Sequence, residues 1–292
     1  MSHQKTIGVL VGIILILSLI SAGYGLFSGG GPGESDFTSV RGENVQLYGK
    51  GLYQNDSESI AVQAIAQDGV TLFAGIPLLA ISFWLASRGN LRGKLLLAGT
   101  LGYFLYTYGS YSFLSMYNSF FIVYVGLMSV SFFAFLLTFR SIDLKLLKAS
   151  FSPKTPVRTI GGFLIFFALL IAMMWLGRMY GQSQGTEGPA GLEHYSTLVI
   201  QALDLGFVVP VSILAGILFI RRTEWGYLLA SVIIMKDITL ATAVSAMAIG
   251  QWMTGVDVSA AEVVVFPIIN LFMLVGLYLI LKNVKETAAL HV

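Results

Sequence analysis

Cysteine is absent from this 292-residue chain, histidine occurs three times, and only 11% of the residues are charged. The missing thiols exclude disulfides, thiolate metal sites, iron–sulfur clusters and cysteine nucleophiles together. His3 and His291 are terminal, which leaves His194, and a single histidine cannot build the usual three-ligand catalytic zinc. Gly-x-Ser-x-Gly, Gly-x-Gly-x-x-Gly and Walker patterns are missing too, so neither a serine-hydrolase elbow nor nucleotide chemistry is indicated. No cofactor and no metal are expected. A net charge of +2 gives no reason to expect a nucleic-acid partner.

The scarcity of charge decides the solvent. Soluble domains carry about 25% charged residues, whereas here 56% of residues are hydrophobic and they gather into blocks. Windows of about 19 residues mark eight blocks, 6–27, 69–86, 95–114, 119–139, 159–178, 197–220, 226–249 and 261–281. Each approaches the ~20 residues that carry a helix across ~30 Å of hydrocarbon. The expected fold is therefore an all-α polytopic membrane helix bundle of about eight spans. Lys5 followed by an apolar run and Ser21-Ala22-Gly23 also has the form of a secretory signal. Cleavage there would leave seven spans, but a run reaching Phe27 exceeds the 7 to 15 residues of a signal core and favours retention.

The connecting segments alternate in charge. Lys5, Arg88, Arg92, Lys94, Arg140, Lys145, Lys148, Lys154, Arg158, Arg221, Arg222, Lys282 and Lys285 fall on one side, thirteen of the 17 basic residues. Glu34, Asp36, Glu43, Asp56, Glu58, Asp68, Glu187, Glu193, Asp257 and Glu262 fall on the other, with Arg41, Lys50 and Arg178. The positive-inside rule makes the first side cytoplasmic, in a cell membrane, with both termini inside when the first helix is retained. The chain then divides into a first helix (1–27), an extracytoplasmic segment (28–68), spans two to four with a basic loop (69–158), and spans five to eight with a short tail (159–292).

Within 28–68, Ser28 to Gly33 reads as a flexible linker. Val45 to Tyr48 and Leu52-Tyr53 flank Gly49-Lys50-Gly51 as a small hairpin. From Asp56 the spacing of Ile60, Ala61, Ala64 and Ile65 predicts a helix capped by Asp56 or Ser57 and running into the second span. Asn55-Asp56-Ser57 also fits an N-glycosylation acceptor. An offset of 133 residues places Pro77 on Pro210, Arg88 on Arg221, Gly93 on Gly226 and Leu96 on Leu229. Gln63-Ala64 and Gln201-Ala202 precede the two stretches but align only with gaps. The alternatives are coincidence among apolar sequences and two four-helix units in one orientation, a 4+4 parallel repeat.

Three charges sit well inside the spans: Asp204, Lys236 and Asp237. Each costs about 2.5 to 3.5 kcal/mol near the bilayer centre even on the lenient scale. Lys236 lies roughly 14 Å past the inner border, and Asp204 is displaced from it by on the order of 8 Å along the normal. A lysine stem closes that gap, whereas Asp237 points about 100° away from Lys236 around the helix. Gln201 precedes Asp204 by three residues, and Pro210 frees the carbonyl of Gly206. Thr239, Thr242 and Ser245 line the seventh span, while Pro267 frees the carbonyl of Val263 and Asn270 adds an amide in the eighth. In the third span Gly99, Tyr103, Tyr106 and Ser110 follow helical spacing, and Tyr103 and Tyr106 need hydroxyl partners near mid-depth.

Asp204, Lys236, Asp237, Gln201, Tyr103, Tyr106 and Asn270 thus form either a buried polar lock or a path for a small solute or ion. No catalytic residue is assigned. An intramembrane enzyme using Asp204 and Asp237 is less favoured, because Lys236 would keep both carboxyls ionised. The competing expectation is a non-catalytic membrane subunit for sensing, binding or assembly. Its partners would be the lipid bilayer and either further copies of the chain or other membrane subunits.

Overall fold

The computed structural model describes residues 2–180, 188, 189, 191–256 and 258–286. Glu187, Asp257 and His291 lie outside the described residues, as does the side chain of His3. The described chain is mostly helical, with one two-stranded hairpin and short connecting loops. Seven helical stretches are long and apolar enough to cross a membrane: Gln4–Phe27, Glu58–Ser87, Phe121–Arg140, Val157–Tyr180, Val199–Ile220, Glu224–Thr254 and Glu262–Asn283. The third expected span is present as a 24-residue helix, Leu91–Leu114, but it is less apolar than those seven. Its composition follows from its place. Leu95, Leu97, Leu101, Tyr103, Phe104 and Tyr108 are all buried, so this helix is solvated by protein and needs no lipid-facing stripe.

In chain order the elements are α1 (Ser2–Phe27), β1 (Ser35–Thr38), β2 (Asn44–Leu47), α2 (Glu58–Val70), α3 (Ile76–Ser87), α4 (Leu91–Leu114), α5 (Phe121–Arg140) and α6 (Leu144–Ser150). There follow α7 (Val157–Tyr180), α8 (Val199–Leu203), α9 (Val209–Ile220), α10 (Glu224–Thr254) and α11 (Ala260–Asn283). The expected hairpin is shifted in register. β1 pairs antiparallel with β2, Ser35 opposite Leu47 and Thr38 opposite Asn44, while Gly51–Tyr53 forms a 3-10 turn instead of a strand. Gly49 and Gly51 both take positive φ, and the Gly51 amide donates to the carbonyl of Gly30, so the chain bends where a second strand would have run. The helix after it begins at Glu58 with Ser57 as cap, its hydroxyl accepting from the Ile60 amide. That start is eleven residues before the expected span at 69. Asp68 is consequently inside a continuous helical rod rather than on an outer loop.

One sequence of backbone events occurs twice. After α2 the ladder widens into a π-helical turn, Thr71–Gly75, and the Ile76 amide reaches back five residues to Thr71. After α8 the turn is Asp204–Val208, and the Val209 amide reaches back to Asp204. A proline follows at the second position of the next helix in both cases, Pro77 in α3 and Pro210 in α9. A proline ring clashes with the carbonyl four residues earlier in a regular helix, and the wider turn relieves that clash. Both α3 and α9 end in a tight turn whose second residue has positive φ, Gly89 and Arg222. A capped helix follows each turn, with Asn90 accepting from the Gly93 amide and Thr223 accepting from the Gly226 amide. Every one of these pairs is 133 positions apart. The ungapped partner of Gln201 is therefore Asp68, and the gapped match to Gln63 is superseded.

Helices α4 and α10 meet at the centre. A Cβ on Gly99 would strike Met235 and the carbonyl of Val232, so this glycine is what allows the two backbones to touch. α3 packs beside α4 and α9 beside α10, while α5 and α11 cover their other sides. The helix ends carrying most basic residues are tied together by backbone contacts. Ser152 donates to Asn283, Lys285 to Ser150, and the Arg92 guanidinium to Val284. At the opposite end Arg41 donates to the carbonyls of Glu193 and Tyr195.

Gly93 and Gly226 make the two turns tight. A Cβ on Gly226 would overlap the backbone of Leu218 and Phe219, and one on Gly93 the corresponding Leu85 and Ala86. Gly226→Ala should therefore lower stability by about 1–3 kcal/mol, read as a drop in the melting temperature of the detergent-purified protein. Gly162→Ala, where nothing lies within 4 Å, should leave it unchanged.

Candidate functional site

The intramembrane charges converge on the α4/α10 contact. The widened turn of Asp204–Val208 begins at Asp204, which is buried at 8% exposure, and its two oxygens take separate donors. The Tyr106 hydroxyl donates to Oδ1 at 2.7 Å and the Trp175 indole to Oδ2 at 2.8 Å. Lys236, 6% exposed, donates to Asp237 Oδ1 at 2.9 Å and sits 4.8 Å from the centroid of the Tyr106 ring. The expected partner is thus found, and it is the sequence neighbour. The flexible stem of Lys236 folds back to Asp237, overriding the 100° separation of their Cα–Cβ directions. Asp204 has no basic side chain within ion-pair distance among the described residues, and only neutral donors contact it.

The other expected residues divide. Tyr103 is fully buried but does not join Asp204; its hydroxyl meets Thr71 at 2.8 Å and receives a bond from the Gln67 amide at 3.0 Å. Asn270 donates to Thr242 at 2.9 Å, bridging α11 to α10, while its carbonyl oxygen is buried without a partner. Gln201 is buried one turn before Asp204 and joins none of these bonds. Trp175 was not singled out from the sequence. It lies in a run of large apolar residues where one indole N–H carries no periodic signal.

A second cluster was missed for a different reason: the helix capped by Ser57 was expected, but Asp68 near its end was assigned to the outer side. Asp68, 1% exposed, accepts from Tyr53 at 2.6 Å and from Tyr111 at 3.2 Å. Gly25 of α1 makes room for it, since a Cβ there would overlap the carboxyl. The rings of Tyr108 and Tyr124 pack on Tyr111, and among the described residues neither of their hydroxyls has a hydrogen-bond partner. Like Asp204, Asp68 has no cation in contact among the described residues and is held by two neutral donors. The tyrosines of α4 signalled this cluster, but its carboxylate had been counted with the outer loop.

At the outer end Asp56 is 1% exposed, and its Oδ1 accepts from the Met116 amide at 2.9 Å and the Tyr195 hydroxyl at 3.0 Å. Oδ2 has no partner. Burial pushes the Asp56 carboxyl up to about 7, against the two hydrogen bonds that favour ionisation, and Glu193 nearby adds to the rise. Burial likewise raises Glu193 and lowers His194, whose Nε2 meets the carbonyl of Asn55 at 3.2 Å. This carboxyl fastens the start of α2 to the α4–α5 turn and to the segment before α8.

Among the described residues no group of three or more histidine, aspartate or glutamate side chains could hold a metal ion. No family model, curated protein or solved structure matches this chain. The site must be argued from its own geometry.

The Asp56 latch gives a pH dependence with a definite sign. A carboxyl whose folded value is near 7, against an ordinary value of 3.8, binds more protons folded than unfolded between those limits. Its contribution to stability is full below about pH 4 and is lost as the pH rises through 7. Asp56→Asn, which keeps the acceptor for Met116 and Tyr195, should flatten the fall in melting temperature between pH 4.5 and 8. An unchanged pH profile would remove Asp56 from the account.

Proposed function

We propose that this chain is an eight-span membrane protein built from two parallel four-helix units and that it passes a small solute or ion along the α4/α10 contact. The observation that carries the proposal is the carboxylate of Asp204. A purely structural lock would balance its buried charges, because an unpaired one costs several kcal/mol. Here Lys236 is spent on Asp237, and Asp204 is left to neutral donors on a π-helical turn, a backbone form frequent at functional sites. Asp204 and Tyr106 would receive the permeating cation or the cationic end of a solute, and the Lys236–Asp237 pair would set the charge balance beside it. Gln201 and Asn270, with its free carbonyl oxygen, would contribute further polar lining.

The eighth span in this reading is α4, kept in the membrane by the protein around it. The matched turns at Thr71–Gly75 and Asp204–Val208 support the duplicated unit, since unrelated helices would not share a widened turn, a proline, a positive-φ residue and a cap at one spacing. Four spans per unit give both units the same orientation. Clustering of the basic ends favours Gly89 facing the cytoplasm and Gly31 facing outside. Cysteine tags at the two positions should then label from opposite sides of sealed cells, and labelling of both from one side would refute the orientation.

The sensing or assembly alternative draws on the outer cap, which Arg41, Asp56 and Tyr195 fasten across the helix ends. Proteoliposomes separate the two. With transport, vesicles containing the protein dissipate an imposed proton, sodium or potassium gradient, or take up a member of a labelled panel of amino acids and organic cations. Asp204→Asn and Tyr106→Phe abolish that flux while the protein stays folded. Lys236→Met should cost about 3–5 kcal/mol, and combining it with Asp237→Asn should restore most of that loss. A double variant that is stable yet inactive supports a conducting site, whereas no flux from any probe with the wild type leaves the non-transporting alternative.

A further inference from the structure

A cavity of about 220 Å³ opens at the basic end of the first four-helix unit, between α1, α3, α4 and α5. Its lining combines apolar side chains, Ile7, Phe83 and Leu97, with polar ones, Gln4, Ser87 and Ser141, and with Lys94. Among the described residues the Lys94 ammonium meets no acid and no hydrogen-bond acceptor. The nearby cations are otherwise engaged, Arg88 stacked on Trp84 at 3.9 Å and Arg92 bound to Val284 and Glu286. Thr138, 1% exposed, also lines the cavity, but its Oγ1 is closed off from it, so Lys94 is the group left to meet an occupant.

The second unit shows what such a corner looks like when it is filled. At the 133-residue offset Lys94 corresponds to Tyr227 and Ala86 to Phe219. Tyr227 packs on Phe151 at 4.4 Å and on Phe219 at 5.2 Å, and Arg222 donates to its hydroxyl. The chain's own aromatic residues therefore plug the corner of α7, α9, α10 and α11. In the first unit the plug is absent and a free ammonium lines the cavity.

We infer that the cavity between α1, α3, α4 and α5 binds the phosphate headgroup of an anionic lipid, with Lys94 on the phosphate and Ile7, Phe83 and Leu97 against the start of the acyl chains. Apolar side chains and an unpaired cation lining one cavity at the basic ends of the helices are the chemistry of an amphiphile and not of a free anion. The site is separate from Asp204 and does not depend on transport.

The test is native mass spectrometry of the detergent-purified protein titrated with phosphatidylglycerol, phosphatidylcholine or inorganic phosphate. Wild type should bind one phosphatidylglycerol in preference to phosphatidylcholine and gain melting temperature with it. Lys94→Gln should weaken that binding roughly fivefold, the loss of one membrane-surface cation. Ala86→Phe, which copies the aromatic of the second unit, should exclude the lipid without changing charge. Lys94→Gln removes no packing, so it decides the matter if Ala86→Phe fails to fold. Equal binding of both lipids, unchanged phosphatidylglycerol binding in Lys94→Gln, or saturation by inorganic phosphate with no lipid bound would each overturn the proposal.

Discussion

In hydrocarbon a backbone polar group must be satisfied by protein, and a proline inside a spanning helix takes one donor away. Pro77 and Pro210 impose that constraint at matched places, and each is met by widening the turn before it. In both cases the first residue of the widened turn bonds to a tyrosine of α4, Thr71 to Tyr103 and Asp204 to Tyr106. Each repair of the backbone thus lies against the same central helix.

The two units then differ in what they carry at that place. Thr71 and Tyr103 form a neutral hydroxyl pair, whereas the residues at the same offset, Asp204 and Lys236, are charged. The carboxylates are also moved by one turn. Asp68 occupies the first unit where Gln201 stands in the second, while Asp204 stands where the first has Thr71. Each of the two matched stretches thus carries one carboxyl held by two neutral donors, enclosed by tyrosines at Asp68 and beside a lysine–aspartate pair at Asp204. Solvation by Tyr O–H and Trp N–H groups is weaker than pairing with a cation, so such a carboxyl responds more strongly to an arriving positive charge.

Most of the long helices were legible in the sequence because each apolar block has the length that crossing a membrane requires. The outer hairpin was not, because its register rests on the positive φ of Gly42, Gly49 and Gly51, and a cluster of glycines permits more than one turn. Asp68 was counted with the outer segment although the helix expected from Ser57 runs through it, because helical periodicity does not mark which of its residues are buried against other helices. Of the site, Asp204, Lys236 and Asp237 were visible as the costliest residues to hide. The pairing among them was not, since the choice between Asp204 and Asp237 depends on Trp175 and Tyr106 already occupying both oxygens of Asp204. Pairwise charge reasoning along a helix wheel cannot see neutral donors arriving from two other helices.

Helix α4 shows why the least apolar of the long helices is the one that organises the rest. Its exposure to lipid is small, so it is free to carry Tyr103, Tyr106, Thr107, Tyr108 and Tyr111, whose hydroxyls would be costly against acyl chains. Those hydroxyls in turn supply the donors for Asp68 and Asp204, which lie on the helical stretches of opposite units. A displacement of α4 relative to α10 is resisted by the Gly99–Met235 contact and by Lys236 lying against Gly102, where a Cβ would be 3.5 Å from the lysine stem. The same helix therefore donates to Asp68 and to Asp204 and places the Tyr106 ring against the Lys236 ammonium, so one helix positions the polar groups of both clusters.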